Sequence, residues 1–392
     1  MPISGEVYLS KIPLLDKNKR IFAYELTLKD KEENPIPVED FAEILANISL
    51  ERIAGHHLLF IKVDPHILDQ EILDYIPEEK TVLYITKINE DIIPVIKQLK
   101  SIGFRFAFPL NKDFETTKNL ADYVFFNVSK LKDELIKKLV TIKFPFEFVL
   151  EGIKDEKEFE YYISLGYKLF RGDFILRPQT IVGKTIEPSK AAIIQLFNQI
   201  NEEFDPKKIE EIIKKNPDLS VSLLKYINSA VFSFREKITS IRHAISILGQ
   251  KNLMQWLLLY MYRTSDDTSY AETLLELAAE RGKTMEIIFE KLKLPKEEVE
   301  KAFLVGVLSL MDKLLKTPKE EFVKELNLDE EINEALVRYE GKLGKVLLIV
   351  EKIEEGNLQE ISHILEDMKL SINDIMAAQV QAYAWFEDVN IV

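Results

Sequence analysis

The hydrophobic pattern of this chain changes its period once, close to Pro178. Before that point, short apolar runs such as the Leu-Leu-Phe-Ile of residues 58–61 alternate with amphipathic helical stretches. After it, helical periodicity dominates and almost no strand pattern is found. Such apolar runs are typical of strands buried on both faces, and their alternation with helices predicts parallel βαβ units. The sequence therefore predicts an α/β half followed by an all-α half.

The α/β half contains eight candidate strands. They lie at residues 7–9, 21–28, 58–63, 82–86, 105–108, 124–127, 147–151 and 168–171. Helical patterns lie between strands at residues 38–54, 91–102, 113–121, 131–139 and 156–165. Eight strands in so short a segment favour a compact (β/α) barrel, and a doubly wound sheet is the alternative.

The all-α half begins after a linker at residues 179–189. Helical stretches follow at residues 191–203, 206–215, 220–231, 253–262, 271–292, 296–315, 330–337, 345–354 and 372–386. They predict a helical domain over residues 189–392, after a barrel domain over residues 1–180. The linker contains Ile181, Val182 and Ile186, whereas a free tether is rich in Gly, Ser and charge. We therefore expect it to dock between the domains, with a mobile connection as the alternative.

Composition excludes several classes of function. The chain has 52 basic and 66 acidic residues, a net charge of −14, which argues against a general nucleic-acid or membrane-surface binder. It has no cysteine, which excludes disulfides, thiolate metal sites and a Cys nucleophile. No apolar run approaches the length that spans a bilayer, and the first residues do not resemble a signal peptide. These features predict a cytoplasmic protein.

Three motifs occur in order along the α/β half. Residues 21–29 read Ile-Phe-Ala-Tyr-Glu-Leu-Thr-Leu-Lys, residues 150–152 read Leu-Glu-Gly, and residues 165–178 read Leu-Gly-Tyr-Lys-Leu-Phe-Arg-Gly-Asp-Phe-Ile-Leu-Arg-Pro. Together they resemble the EAL domain, the family of cyclic-di-GMP phosphodiesterases, over roughly residues 5 to 180. The resemblance implies a TIM-like (β/α) barrel of the EAL type with its site at the strand ends.

The resemblance also implies two-metal catalysis, in which side chains at strand ends hold two divalent cations. Most positions that match the polar site residues of the family carry other residues: Lys62, Tyr84, Lys87, Pro109, Leu110, Phe125 and Arg171. Only Glu25 and Glu151 are retained. Two carboxylates cannot fill the oxygen shells of two Mg²⁺ ions. We therefore expect no catalytic residues, no bound metal and no cofactor in the barrel.

The two retained glutamates have a simpler role available. As vestigial carboxylates at strand ends, Glu25 and Glu151 are expected to pair with Arg171, Lys62 or Lys87. The same three cations are candidate phosphate contacts if the barrel still binds cyclic-di-GMP without cleaving it.

The all-α half carries two further signatures. Residues 219–230 read Leu-Ser-Val-Ser-Leu-Leu-Lys-Tyr-Ile-Asn-Ser-Ala, and residues 238–249 read Ile-Thr-Ser-Ile-Arg-His-Ala-Ile-Ser-Ile-Leu-Gly. They resemble the HDOD domain, a relative of the HD phosphohydrolases that generally lacks the metal-binding His-Asp pair. The resemblance places that pair after residues 302–308, where Ser309 and Leu310 stand instead.

A degenerate EAL-like barrel followed by an HDOD domain is similar to the EAL–HDOD family of bacterial signalling proteins. The resemblance implies a cytoplasmic, non-enzymatic regulator that has lost both hydrolase sites and acts through contacts with signalling proteins. A homodimer is compatible with it, because EAL-type barrels often pair. The alternatives are a cyclic-di-GMP sensor without hydrolysis and, less favoured, an active cyclic-di-GMP phosphodiesterase.

Overall fold

The computed structural model describes residues 7–30, 32, 34, 36–65, 68, 73, 75–88, 90–176, 188–229, 232, 234, 237–263, 267–357 and 360–389. Apart from its last two positions, the predicted linker lies outside the described residues, and so do Ile181, Val182 and Ile186. The chain divides into two compact units, one of residues 1–179, 351–362 and 371–376, the other of residues 180–350, 363–370 and 377–392. Over the described ranges, every helix is too short or too polar to cross a membrane.

Eight strands of the first unit form a closed barrel in chain order. They are β1 (Val7–Asp16), β2 (Ile21–Asp30), β3 (Leu58–Val63), β4 (Thr81–Ile85), β5 (Arg105–Pro109), β6 (Tyr123–Asn127), β7 (Glu147–Glu151) and β8 (Leu169–Arg171). Neighbours from β2 to β8 are parallel. The predicted barrel is confirmed, and closure of the sheet excludes the doubly wound alternative.

The first strand departs from the prediction. Instead of ending at Leu9, β1 continues to Asp16 and is antiparallel to both β2 and β8. The tight turn that joins β1 to β2 is held by the Asp16 carboxylate, which accepts from the backbone N–H of Asn18 at 2.7 Å and of Arg20 at 3.0 Å. The barrel therefore begins with a hairpin and not with a parallel βαβ unit.

Short helices connect the strands of the barrel. They are α1 (Val38–Asn47), α2 (Leu50–Ala54), α3 (Ile92–Ser101), α4 (Phe114–Thr117), α5 (Asp133–Leu139), α6 (Glu156–Leu165) and α7 (Asp173–Leu176). The single helix predicted at residues 38–54 is two helices, because Ser49 is extended and its hydroxyl accepts from the backbone N–H of Arg52 to cap α2.

The barrel interior is filled by alternate side chains of the strands. The central cluster includes Leu14, Ala23, Phe60, Val82, Tyr84, Ala107, Phe125, Val149 and Leu169. Side chains two residues apart on a strand share a face. Glu25, Lys62, Glu151 and Arg171 each stand two residues beyond a member of this cluster. They therefore form the next interior layer, at the carboxyl ends of the parallel strands.

The second part of the chain is helical wherever it has regular structure among the described residues. Its helices are α8 (Pro188–Glu202), α9 (Pro206–Lys214), α10 (Pro217–Ile227), α11 (Ile241–Arg263), α12 (Thr268–Lys291), α13 (Lys296–Leu308), α14 (Met311–Leu315), α15 (Lys319–Glu325), α16 (Glu330–Arg338), α17 (Gly341–Glu355), α18 (Ser362–Met368) and α19 (Ile372–Asp388). The prediction missed α15 and α18, and it placed the start of α11 at residue 253 instead of Ile241. The helix predicted at residues 296–315 breaks between Leu308 and Met311.

Two glycines allow α12 and α13 to pack closely against each other. At the crossing of α12 and α13, a Cβ atom on Gly306 would lie 2.5 Å from the Cα of Gly282 and 2.6 Å from its nitrogen. A Cβ on Gly282 would lie 2.7 Å from the Cγ2 of Val307. Real Cβ atoms do not approach backbone atoms this closely, so only glycine fits at this crossing.

Candidate functional site

A cluster of mainly charged side chains, the mouth cluster, lies at the carboxyl ends of the barrel strands. It comprises Glu25 of β2, Lys62 of β3, Tyr84 of β4, Glu151 of β7, Arg171 of β8 and Asp173 of α7. Glu25 is only 2% exposed, and its Oε2 lies 3.3 Å from Nε of Arg171. The two atoms do not meet hydrogen-bond geometry, so the contact is an ion pair. The pairing of Glu25 with Arg171 expected from the sequence is present.

Arg171 is the cation on which the carboxylates of the cluster act. Burial alone lowers the pKa of its guanidinium, but Glu25, Asp173 and Glu151 outweigh that effect and raise the pKa above its ordinary value. The guanidinium therefore remains charged. It is an internal counter-charge for carboxylates at the end of the barrel where the family resemblance places metal ions.

Whereas Arg171 stays charged, the surroundings of Glu151 favour its neutral form. Burial, with help from the negative charge of Glu25, raises the pKa of its carboxyl to about 7, although Arg171 and Lys62 oppose the shift. A substantial fraction of Glu151 is therefore protonated at neutral pH, and a cation that bound there would have to displace that proton.

The raised pKa of Glu151 predicts a pH-dependent stability of the barrel. Between about pH 4.5 and 7, the folded chain keeps a proton that the unfolded chain has released. The free energy of unfolding should therefore fall as the pH rises through this window, by up to about 3 kcal/mol. Urea unfolding at several pH values should show this fall in the natural chain. Glu151→Gln should remove it, and equal slopes for both proteins would contradict the prediction.

Tyr84 fills the space beneath these charges. Its ring stacks on that of Phe125, with centroids 4.4 Å apart and an angle of 17° between the planes, and Nζ of Lys62 lies 5.3 Å from its centroid. Burial and the nearby Glu151 and Glu25 raise the pKa of Tyr84, so its phenol stays neutral. Both aromatic residues stand where the resemblance expects polar groups, and they pack the interior instead.

The remaining predicted positions are not part of the mouth cluster. Pro109 ends β5, and the backbone N–H of Leu110 donates to the carbonyl of Phe125 at 2.7 Å. Lys87 is exposed beyond the end of β4, and among the described residues no contact joins it to the cluster. The structure thus brings together two of the three predicted cations, Lys62 and Arg171. Nor do the described residues include a group of three or more His, Cys, Asp or Glu side chains arranged to hold a metal ion.

Sequence reasoning missed Asp173. Its side chain is buried, and its charge raises the pKa of Arg171. The signal that could have found it is the preceding glycine. A Cβ on Gly172 would lie 2.9 Å from the carbonyl oxygen of Pro13, which accepts from the Gly172 N–H at 2.7 Å. This close passage against β1 turns the chain so that Asp173 starts α7 beside the cluster.

In the helical unit, the position at which HD enzymes carry the His-Asp pair is occupied by Ser309, which bonds to other residues of the same unit. Ser309 is fully buried, and its hydroxyl accepts from Nη1 of Arg281 at 2.7 Å and donates to the carbonyl of Gly306 at 2.6 Å. Arg281 is itself 1% exposed. A guanidinium and a hydroxyl thus stand where the HD resemblance places metal ligands.

Comparison with known families settles the nature of this region. Residues 187–338 match the family model described as the HDOD domain. This part of the chain is an HDOD domain. The two sequence signatures that predicted it lie within the match, and so do Arg281 and Ser309. The helices after Arg338 lie outside the HDOD match.

Two relatives extend over both parts of the chain. Cyclic di-GMP phosphodiesterase CdgJ of Vibrio cholerae is 24% identical over 407 residues, which cover 98% of this chain and 93% of CdgJ. YuxH of Bacillus subtilis is 23% identical over 383 residues, which cover 91% of this chain and 93% of YuxH. Among solved structures, Bacillus subtilis YkuI, which has an EAL domain and was crystallised with c-di-GMP and calcium, matches with a TM-score of 0.38 and 15% identity over 62% of this chain and 73% of YkuI.

Proposed function

We propose that this chain is a non-enzymatic regulator in cyclic-di-GMP signalling that acts through contacts with other proteins. The full-length similarity to CdgJ supports the signalling context. The observation that carries the loss of hydrolysis is the ion pair between Glu25 and Arg171, at 3.3 Å, in the layer where the family resemblance places catalytic metals.

The positive charges of Arg171 and Lys62 disfavour binding of a divalent cation in this layer. At a separation of about 4 Å and an effective dielectric constant of about 20, a divalent ion and a guanidinium repel each other by about 8 kcal/mol, which offsets the attraction of one carboxylate at the same distance. Lys62 adds a second positive charge. Glu25 already pairs with Arg171, and the charges of Asp173 and Glu151 also act on that guanidinium. Within the mouth cluster, the two cations Lys62 and Arg171 thus offset much of the negative charge of Glu25, Glu151 and Asp173 without a metal ion.

The HDOD domain supports the same proposal independently. The hydrogen bonds of Ser309 to Arg281 and Gly306 use the site that HD enzymes give to metal ligands. A chain without either hydrolase site can still bind other proteins through its surface, and we propose that this binding is its function.

A second candidate function is a cyclic-di-GMP sensor without hydrolysis. The observation in its favour is that Lys62 and Arg171 both remain at the barrel mouth, where cations could contact phosphate without a metal. Arg171 is 24% exposed in its side chain, so part of it is accessible. The observation against this candidate is that the guanidinium of Arg171 already forms an ion pair with Glu25.

A titration with Mn²⁺ tests the lost metal site. We expect the full chain to show no saturable Mn²⁺ binding when free ion is followed by electron paramagnetic resonance, because Arg171 and Lys62 repel the ion. A matched chain with Glu25→Gln serves as the control and should give the same trace. One or more Mn²⁺ ions bound per natural chain, and lost in Glu25→Gln, would contradict the proposal.

A further inference from the structure

A cavity of about 190 Å³ lies in the HDOD domain. It is lined by the end of α8, by the part of α11 that follows Gly249, by α13 and by the start of α16. Gly249 has φ 68° and ψ −179°, so α11 is two helical segments that meet at a kink beside the cavity. Pockets for drug-sized ligands are usually about 300–1,000 Å³. This one has room for a single long side chain.

The floor of the cavity is apolar. It is lined by Met254 of α11, Leu304 of α13, Leu328 just before α16 and Ile332 within α16, and Met254 and Ile332 are buried. Such a floor would cover an aliphatic chain, and burying each methylene contributes about 0.8 kcal/mol.

The rim of the cavity is acidic. Its lining residues include three carboxylates, Glu297, Glu300 and Asp329, against two lysines, Lys251 and Lys301. Both lysines already form ion pairs with these carboxylates. Lys251 pairs with Glu300, and Nζ of Lys301 lies 3.1 Å from Asp329 and 3.6 Å from Glu297. The bond to Asp329 also raises the pKa of Lys301. Negative charge is therefore in excess at the rim, and Glu297, whose side chain is 72% exposed, is its most open carboxylate.

An apolar floor below an acidic rim fits a side chain that is aliphatic along its stem and cationic at its tip. An arginine satisfies both parts, and its planar guanidinium can bind a carboxylate through two hydrogen bonds. The net charge of −14 favours approach by a basic partner. We propose that this cavity is an anchor site for one arginine side chain from a basic segment of a partner protein. The inference rests on the proposed function, in that it names the chemistry of the protein contact.

A peptide titration tests this assignment. The probe is the capped pentapeptide Gly-Ser-Arg-Ser-Gly, and its matched control has citrulline, the neutral isostere, in place of arginine. The methyl group of Met254 reports binding by NMR on the full chain with labelled methionine methyls, since the chain has only 7 methionines. We expect the arginine peptide to shift the Met254 signal saturably and the citrulline peptide to leave it unchanged. No shift with either peptide, or equal shifts with both, would overturn the proposal.

The chain offers a matched pair of variants. Pro-Lys-Glu-Glu occurs at residues 295–298, where it starts α13, and again at residues 318–321, where it starts α15. Only the first copy lines the cavity. Glu297→Lys should weaken the arginine peptide about tenfold, because it places a like charge at the rim, whereas Glu320→Lys should have no such effect. Equal weakening by both would show a general charge effect and would overturn the assignment. This titration does not measure hydrolysis or metal binding, so its failure leaves the loss of the barrel site unaffected.

Discussion

Replacing Arg171 with methionine is expected to destabilise the barrel by about 3 kcal/mol. Its guanidinium is the partner of Glu25, which is 2% exposed, and removing one member of a buried ion pair leaves the other charge without compensation. Both tryptophans, Trp256 and Trp385, belong to helices outside the barrel strands. Hydrogen exchange of peptides from β2 and β8 is therefore the suitable measurement, and it should show loss of protection in both strands.

Two controls make this result specific. Lys168, three residues earlier, pairs with Glu147 at 2.8 Å, but both side chains are more than half exposed. Lys168→Met should therefore change stability by less than about 1 kcal/mol. The double variant Glu25→Leu with Arg171→Met removes both charges of the pair and should recover part of the lost protection, although Asp173 and Glu151 still lose their counter-charge. Equal effects of the two single variants would show that the mouth cluster does not depend on Arg171.

Gly306→Ala is expected to lower the free energy of unfolding of the helical unit by about 3 kcal/mol. In most helices this change is stabilising by about 0.5–1 kcal/mol. Here the new methyl group would meet the backbone of Gly282 at 2.5 Å, and overpacking against backbone separates two helices. Urea unfolding followed by tryptophan fluorescence measures the loss, because Trp256 of α11 and Trp385 of α19 both belong to this unit.

Glu297→Ala is the control on the same helix. Its side chain is largely exposed, so its effect should stay within about 0.5 kcal/mol. A Gly306→Ala chain as stable as the natural one would show that α12 and α13 can separate without cost, and the close glycine crossing would then have no energetic role.

Much of the barrel could be predicted from sequence because its strands are continuous apolar runs. The sequence predicts β3 and β7 at their observed bounds for that reason. It does not predict the full length of β1, since Ser10, Lys11 and Pro13 interrupt the apolar pattern although all three are buried. Nζ of Lys11 lies 3.9 Å from the centroid of the Tyr24 ring, which helps to stabilise the buried cation. Such compensation depends on a neighbouring strand and cannot be predicted from a local hydrophobic pattern.

The candidate site was predictable to a similar degree. The family resemblance identifies Glu25, Lys62, Glu151 and Arg171 as residues at strand ends. In the closed barrel, β1 lies between β2 and β8, so a side chain of β2 can reach one of β8. This arrangement explains why Arg171 is the cation that pairs with Glu25. The cavity of the HDOD domain was not predictable, because residues from four separate segments line it and no short motif records their proximity.

A direct assay of cyclic-di-GMP hydrolysis tests whether the barrel lacks catalytic activity. The full chain, in excess over cyclic-di-GMP and with Mg²⁺ or Mn²⁺, is followed by chromatography for the linear dinucleotide, while bound nucleotide is measured in the same mixture. We predict that no linear product forms above a reaction without protein. Retention of intact nucleotide would favour the sensor alternative, with Lys62→Ala expected to weaken it. Formation of linear product by the natural chain, abolished in Glu25→Ala, would contradict the account.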